Sequence, residues 1–425
     1  MKKTTTLQMI VLNMYWLGLS FKWNAIHPLI LPAILLNYVP DAQKNSYLGI
    51  LTFVGLIIAM IVQPVAGAVS DRWISRFGRR RPFIVFSTLL DLLFLALLGF
   101  AGGIVWLMLG YVFLQFSSNI GQGASQGLLP DRVPSSQLGM ASGIKTFIDM
   151  LALILASLVA GNLIDPVTRD PTLIISVVMG LMLVSSGITI FGTPEESTLA
   201  GKESVSISRN ILKEFRETFK IDFKQNIHYW KLIAERLIFL LGIMGIQQFA
   251  QYYIQDVLQA ENPLKVTGDM MAALAVGLVI TALVGGWLSD RLGSRIVLIA
   301  ASVISGIGCF LLLLVTDQSS LTIMGSVIGM GMGLFLTSNW AMANQFASGK
   351  EAGKYMGLTN IATAGAGALG RLWGPILDWL NHAWYGYWWG YKALFIFSGF
   401  CALASIFLLL KINIPKSEQI PLQPK

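Results

Sequence analysis

Charge, histidine and cysteine are all scarce in this chain. Charged residues make up 12% of its 425 positions, well below the roughly one quarter found in soluble domains, so an ordinary water-solvated surface cannot be built. The 3 histidines are scattered and no H-E-x-x-H pattern occurs, which removes the commonest zinc-hydrolase arrangement. Cys309 and Cys401 both lie in apolar stretches and are too few for a disulfide framework or a metal site. No G-x-x-x-x-G-K-[ST] loop is present and no soluble segment could house an ATPase, which disfavours direct coupling to a nucleotide. An enzyme needs positioned acids, bases or metal ligands. The expectation is of no enzyme, no metal and no cofactor.

Apolar sequence is what the chain has instead: 55% of residues are hydrophobic. Nearly uncharged runs recur at about the 20 residues a spanning helix needs. They fall at 7–38, 47–70, 83–102, 104–129, 139–163, 172–192, 232–257, 271–289, 296–315, 321–347, 355–380 and 392–410. The expected fold class is therefore an all-α polytopic membrane protein of twelve spans, with the lipid bilayer as its main partner. The first run is too long for a removable signal and lacks an A-x-A site, so it is read as the first span.

Basic residues alternate between loops. One set holds Lys2, Lys3, the Arg72 to Arg81 cluster, Arg132, the 202–231 segment, Arg291, Arg295, Lys350 and Lys354; the other holds only Lys44, Arg169, Lys265 and Lys392. The positive-inside rule puts the richer set and both termini in the cytoplasm, giving a multi-pass protein of the plasma membrane, the inner membrane if bacterial. The net charge of +8 is mostly this signal. Its dispersal over connecting loops argues against nucleic acid as a partner.

The chain repeats itself. Gly67-Ala-Val-Ser-Asp71-Arg72 after span two is matched by Gly286-Trp-Leu-Ser-Asp290-Arg291 after span eight, and Gly139 is echoed at Gly357 with nearly the same offset. The expected division is a six-span half at 1–193, a linker at 194–231 and a second six-span half at 232–425. In the linker Phe215, Phe219 and Phe223 stand among lysines and arginines, as in an amphipathic surface helix or a solvated connector helix. Duplicated six-span halves place a solute site at their interface.

Four carboxamides, Gln115, Asn119, Gln122 and Gln126, lie on one face of span four. Such groups both donate and accept, so they can read sugar hydroxyls, or they can bond helix to helix. Asn24, Gln247, Gln248, Gln251, Trp340 and Asn344 are further candidates to line the solute site, with Gln255 extending the span-seven stripe. A tryptophan beside carboxamides suits the apolar face of a sugar ring. Lys22 and Asp149 fall near mid-span, where an isolated charge is costly. They are expected to pair, with Asp149 the leading proton-coupling candidate and Lys145, four residues earlier, its competitor. Asp91 and His27 are weaker candidates, and a purely structural ion pair is the alternative.

The stretch Val62-Gln-Pro-Val-Ala-Gly67-Ala-Val-Ser-Asp71-Arg72-Trp-Ile-Ser-Arg76-Phe-Gly78-Arg79-Arg80-Arg81-Pro-Phe-Ile84 resembles the loop signature of the major facilitator superfamily. In wording it is similar to the plant sucrose/proton symporters and their animal and bacterial relatives. Asn119-Ile-Gly-Gln122-Gly123-Ala-Ser-Gln126-Gly-Leu-Leu-Pro-Asp131 is similar to that family's N-x-x-Q-G-P-x-R-A-x-L-A-D. The resemblance implies two pseudo-symmetric six-helix bundles and a conformational latch at Gly67, Asp71, Arg72, Arg76, Gly78, Arg79, Arg80 and Arg81, echoed by Asp290, Arg291 and Arg295. It implies secondary active transport of a sugar or glycoside with proton symport, in a monomer. The alternatives are export of an amphipathic compound and a sensor without flux. Three positions depart from the family: Ala124 replaces its proline, Gln126 its arginine, and Gln115 its membrane-embedded aspartate, which excludes coupling through that residue.

Overall fold

The computed structural model describes residues 3–100, 102–193, 195, 197–200, 226–346 and 352–413. Among them every regular element is helical. Ten helices are long and apolar enough to cross a membrane: span two (Lys44–Asp71), three (Arg81–Phe100), four (Ile104–Arg132), five (Leu138–Leu163), six (Thr172–Gly192), seven (Ile227–Asp256), eight (Pro263–Leu292), nine (Ser294–Leu311), ten (Gln318–Phe346) and twelve (Trp389–Leu410). The other two expected spans are broken. Span one runs as Thr6–Ala25, a π-helical turn at Ile26–Ile30 and Leu31–Leu35; span eleven runs as Ala352–Arg371 and Trp373–Ala383.

Proline accounts for both breaks. Pro28 has no amide hydrogen, so the Asn24 carbonyl loses its helical donor, and Pro32 deprives the Pro28 carbonyl in the same way; a π turn is one accommodation. In span eleven Pro375 leaves the Arg371 carbonyl without a partner four residues on, and the helix restarts at Trp373.

Two boundaries differ from expectation. Span eight starts at Pro263, because Asn262 accepts a hydrogen bond from the Lys265 amide at 3.0 Å and proline suits a first helical position; Lys265 and Asp269 thus belong to the helix. Span seven begins at Ile227, inside the segment expected as linker. The Phe215, Phe219 and Phe223 segment lies outside the described residues.

Spans one to six and seven to twelve pack mainly within their own group, and the groups meet along two seams, span five on span eight and span two on span eleven. Both seams depend on glycine. A Cβ at Gly268 would stand 2.4 Å from the Ser157 carbonyl, and one at Gly374 would stand 2.2 Å from that of Asn45, so the backbones meet directly. These contacts lie at the end of the bundle opposite the termini. There Lys44 pairs with Asp256 at 2.5 Å, Asp378 accepts from the Asn45 side chain at 2.9 Å and the Ser46 amide at 2.6 Å, and the Tyr252 hydroxyl donates to the Pro32 carbonyl at 3.0 Å.

Toward the terminal end the polar faces of the spans are open. Gln126 and Asn344 are exposed, and Gln122, Lys145, Asp149 and Trp340 are partly so. Carboxamides and charges at such depth belong against water or protein, not hydrocarbon. The two groups of spans are therefore closed on one another at one end and parted at the other.

Candidate functional site between the two halves

The carboxamide face of span four splits in two. Its upper part is buried: the Gln115 amide donates to the Tyr111 hydroxyl at 2.7 Å and lies 3.3 Å from His27 Nε2, while Asn119 donates to the Gln115 carbonyl at 2.7 Å. Tyr111 in turn lies 3.0 Å from His27 Nε2. With Gln115 donating, that ring nitrogen accepts, which is the pattern of a neutral imidazole. Trp23 stacks on His27 with centroids 4.9 Å apart. The lower part, Gln122 and Gln126, opens to the gap. Asn24, beside Trp23, is partly exposed and donates to the Ser20 carbonyl at 2.8 Å.

From the other half, Gln251 closes on the broken part of span one: with its amide nitrogen turned inward it donates to the Pro28 and Leu29 carbonyls, both at 3.0 Å. Pro32 explains why the first of these is available. Gln248 is buried with its nitrogen unpartnered among the described residues. Gln247 faces away, into an apolar pocket with Ile243, Tyr253, Met270 and Phe395, so the span-seven stripe does not form one continuous wall.

The expected Lys22–Asp149 pair is not what forms. Lys22 pairs with Asp91 of span three at 2.5 Å, both fully buried, and also bonds to Ser118. Asp149 instead binds Lys145 at 2.7 Å and accepts from Ser20 at 2.5 Å, and Lys145 lies 3.6 Å over the Trp16 ring. The reason is rotational: Ser20, not Lys22, shares the face of span one that meets span five. Asp91 is saturated, with Ser117 and Ser118 donating alongside Lys22. This triad ties spans one, three and four.

Two features went unread in the sequence. Arg371 lies at the break in span eleven, donating to the Gly367 carbonyl at 2.8 Å, its Nε without a partner among the described residues, and its own carbonyl packs against span two, where a Cβ at Gly49 would stand 2.3 Å from it. Its signal in the sequence is a charge inside the apolar 355–380 run. The second feature is a buried network in spans seven, ten and eleven. Asn339 donates to Glu235 Oε2 at 2.8 Å, and Arg236 donates to Asn339 at 2.6 Å and to Thr363 at 2.8 Å. Arg236 also lies 5.2 Å over the Trp340 ring. Beginning span seven at 232 left Glu235 and Arg236 looking like charges at a membrane edge.

The loop between spans two and three is tied down by its arginines. Arg80 donates to Asp131 at 3.0 Å, to Ser70 at 2.6 Å and to Asp71; Arg79 reaches Asp131 at 2.7 Å. Gly123 lets spans two and four approach, since a Cβ there would stand 2.3 Å from the Gln63 carbonyl, whereas one at Gly67 would meet the Gly123 carbonyl at an ordinary 3.4 Å. Gly78 has φ +90°, which glycine alone adopts freely. Glu195, after span six, accepts from the Arg80 and Arg81 amides at 2.9 and 3.2 Å, and Arg81 bonds the Ile190 carbonyl. Arg76 lies over Phe77 at 4.6 Å, and Arg72 is engaged as well.

The echo in the second half is not a copy. Gly293 alone separates spans eight and nine, too short for an arginine hairpin. Asp290 is exposed and makes no ion pair among the described residues, Arg291 lies over Trp287 at 4.3 Å, and Arg295 bonds the Ile412 carbonyl.

The profile of the Major Facilitator Superfamily matches residues 11–370 and 237–425. The chain belongs to this superfamily. Curated relatives include the sucrose transport protein SUT4 of Oryza sativa subsp. indica, 26% identical over 165 residues, which is 34% of this chain and 27% of that protein. The sucrose transport protein SUC4 of Arabidopsis thaliana is 28% identical over 130 residues, 27% of this chain and 25% of the relative. The matched stretches thus span about a quarter of those relatives' length. Among solved structures, a D-xylose-proton symporter superposes with a TM-score of 0.74 at 13% identity, over 96% of this chain and 98% of that one. The nucleoside transporter NupG gives 0.71 at 13% identity, over 96% and 99%. These share the fold. As a superfamily member with apolar spans throughout, the protein is a multi-pass membrane protein.

Proposed function

We propose that the protein is a secondary active transporter of a sugar or glycoside, coupled to protons, and that it works by alternating access between its two six-span halves. The observation that carries the reading is the uncharged cluster of Gln115, Tyr111, His27, Asn119 and Trp23 beside the gap. It offers donors and acceptors together with an aromatic face, the combination a sugar ring needs. The sucrose transport relatives support the substrate class. Gln122, Gln126, Asn24, Gln251, Trp340 and Asn344 complete the lining, and Arg371 adds a fork of donors from the opposite half.

Alternating access follows from the asymmetry of the ends. With the termini in the cytoplasm, as the basic loops require, the closed seams face outward and the gap faces inward. The bonds that must break for the outer end to open are Lys44–Asp256, the Asp378 cluster and Gln251 on Pro28 and Leu29. The Arg79–Arg80–Asp131 latch holds spans two, three and four together through the change. Asp149 and Lys145, exposed to the gap, form a pair that a proton could interrupt.

The test is uptake into proteoliposomes under an inward proton gradient, with labelled sucrose and a set of labelled disaccharides and glucosides. Accumulation above equilibrium that a protonophore collapses is the expected result. Binding of a sugar without flux would overturn the reading.

A further inference from the structure

Asp91, Asp149 and Glu235 each lie within a span close to a basic partner, and their surroundings differ. Asp91 is saturated by Lys22, Ser117 and Ser118. Asp149 has Lys145 and Ser20 and stands partly in water. Glu235 is fully buried, yet its Oε1 receives no hydrogen bond among the described residues; only Oε2 is held, by Asn339. A buried carboxylate oxygen with no donor is costly, and attaching a proton to it removes the charge that makes it so.

The neighbours make that step tolerable. Arg236 next in sequence has its own bonds to Asn339 and Thr363 and its place over Trp340, so its donors stay engaged when Glu235 is neutralised. Trp340 is partly exposed on the gap side of span ten, so whatever occupies the gap at Trp340 touches the ring that Arg236 rests on. Among the described residues, the charged or titratable groups acting here are Arg236 and, beside it, Tyr229, whose hydroxyl lies 2.8 Å from that of Thr359. Spans ten and eleven otherwise contribute Asn339, Thr363 and Thr359, which do not titrate.

We propose that Glu235 is a proton-binding site, held at one oxygen by Asn339 and linked to the gap through Arg236 and Trp340, so that the coupling proton resides in the second half. Protonation forms an O–H bond at Oε1 from a proton of the gap water and leaves the Asn339 bond to Oε2 intact. Loss of the carboxylate charge frees Arg236 to follow Asn339, Thr363 and Trp340, which joins the proton to the packing of spans seven, ten and eleven. The coupling role rests on the proposed symport, but the proton site itself does not.

Infrared difference spectra of the full-length protein in lipid nanodiscs, taken between mildly acid and mildly alkaline buffer, need no solute. A protonated-carboxyl C=O band is expected in the wild type and is expected to vanish in Glu235→Gln while persisting in Asp149→Asn. A band unchanged by Glu235→Gln overturns the proposal. Glu235→Asp, which keeps the carboxyl, should retain the band at a shifted pH, separating loss of the group from misfolding. In proteoliposomes Glu235→Gln should lower gradient-driven accumulation from the roughly ten-fold ratio that one proton supports per pH unit to the equilibrium ratio. If the wild type shows the band but accumulates no sugar, the proposed symport fails and the proton site stands.

Discussion

Each half of the molecule buries one acid–base network, and the two are built to opposite specifications. Lys22–Asp91 in the first half gives every carboxylate oxygen a donor; Glu235–Arg236 in the second leaves one oxygen bare. A saturated pair resists change of charge, because removing either partner strands the other in a medium that cannot solvate it. A half-satisfied one invites it. The first network is thus a pin, and under the proposed proton site the second is a movable charge. The loops repeat the lesson: Arg80 has three side-chain acceptors in the first half, whereas among the described residues Arg291 meets an aromatic ring in the second.

The comparison breaks most readily at the pin. Lys22→Met alone leaves Asp91 uncompensated and should cost about 3–5 kcal/mol, read as a large fall in Tm in detergent, with much of the loss recovered in the Lys22→Met/Asp91→Leu double variant. No recovery would mean that the two charges do not act as a pair. Glu235→Gln should destabilise less than Asp91→Asn in the same assay, since it removes an oxygen that has no partner.

Next in size are the latches. Arg80→Ala removes hydrogen bonds to charged acceptors and should lower stability by about 2 kcal/mol, whereas Arg291→Ala in the echoed segment should stay within about 0.5 kcal/mol. Equal effects would mean that the halves carry equivalent latches after all. At the closed end, Gly374→Leu cannot fit against the Asn45 carbonyl. It should raise the thiol-labelling rate of a cysteine placed at Ser46 on a cysteine-free background, because the seam must part.

The smallest effect lies in the loop before span six. Asp165 accepts from the Thr168 amide, the Thr168 hydroxyl and the Val167 amide, which hold its carboxyl below the ordinary carboxylate range. A depressed value stabilises the folded loop above the usual carboxylate pKa, and that contribution is lost as pH falls through the lowered one. Amide exchange at Val167 and Thr168, corrected for its intrinsic pH dependence, should lose protection only in acid, and Asp165→Asn should remove that dependence.

Much of this was legible in the sequence. Twelve spans follow from the spacing of apolar runs alone, since a bilayer imposes length and apolarity together, and the arginine hairpin announces itself by density of charge. Proline marks both broken spans, though Pro28, Pro32 and Pro375 do not say which freed carbonyl a neighbour will take. Pairing was less legible. Lys22 lies at the right depth for Asp149, but which acid it meets depends on helix rotation about its axis, and a residue's depth carries no such information. Glu235 was hidden for another reason: placing the start of span seven at 232 rather than Ile227 moved it from inside the bundle to the membrane edge. Its network partner Asn339 sits next to Trp340, which composition did single out, so the region was visible while its chemistry was not.

The contrast between a binding half and a coupling half is tested most directly by measuring two fluxes side by side in proteoliposomes, solute counterflow and proton-gradient accumulation, for Gln115→Ala and Glu235→Gln. Gln115→Ala should depress both fluxes together, because it removes a contact to the solute, and Glu235→Gln should abolish accumulation while counterflow persists. Accumulation that survives in Glu235→Gln, or that is lost selectively in Gln115→Ala, would contradict the account.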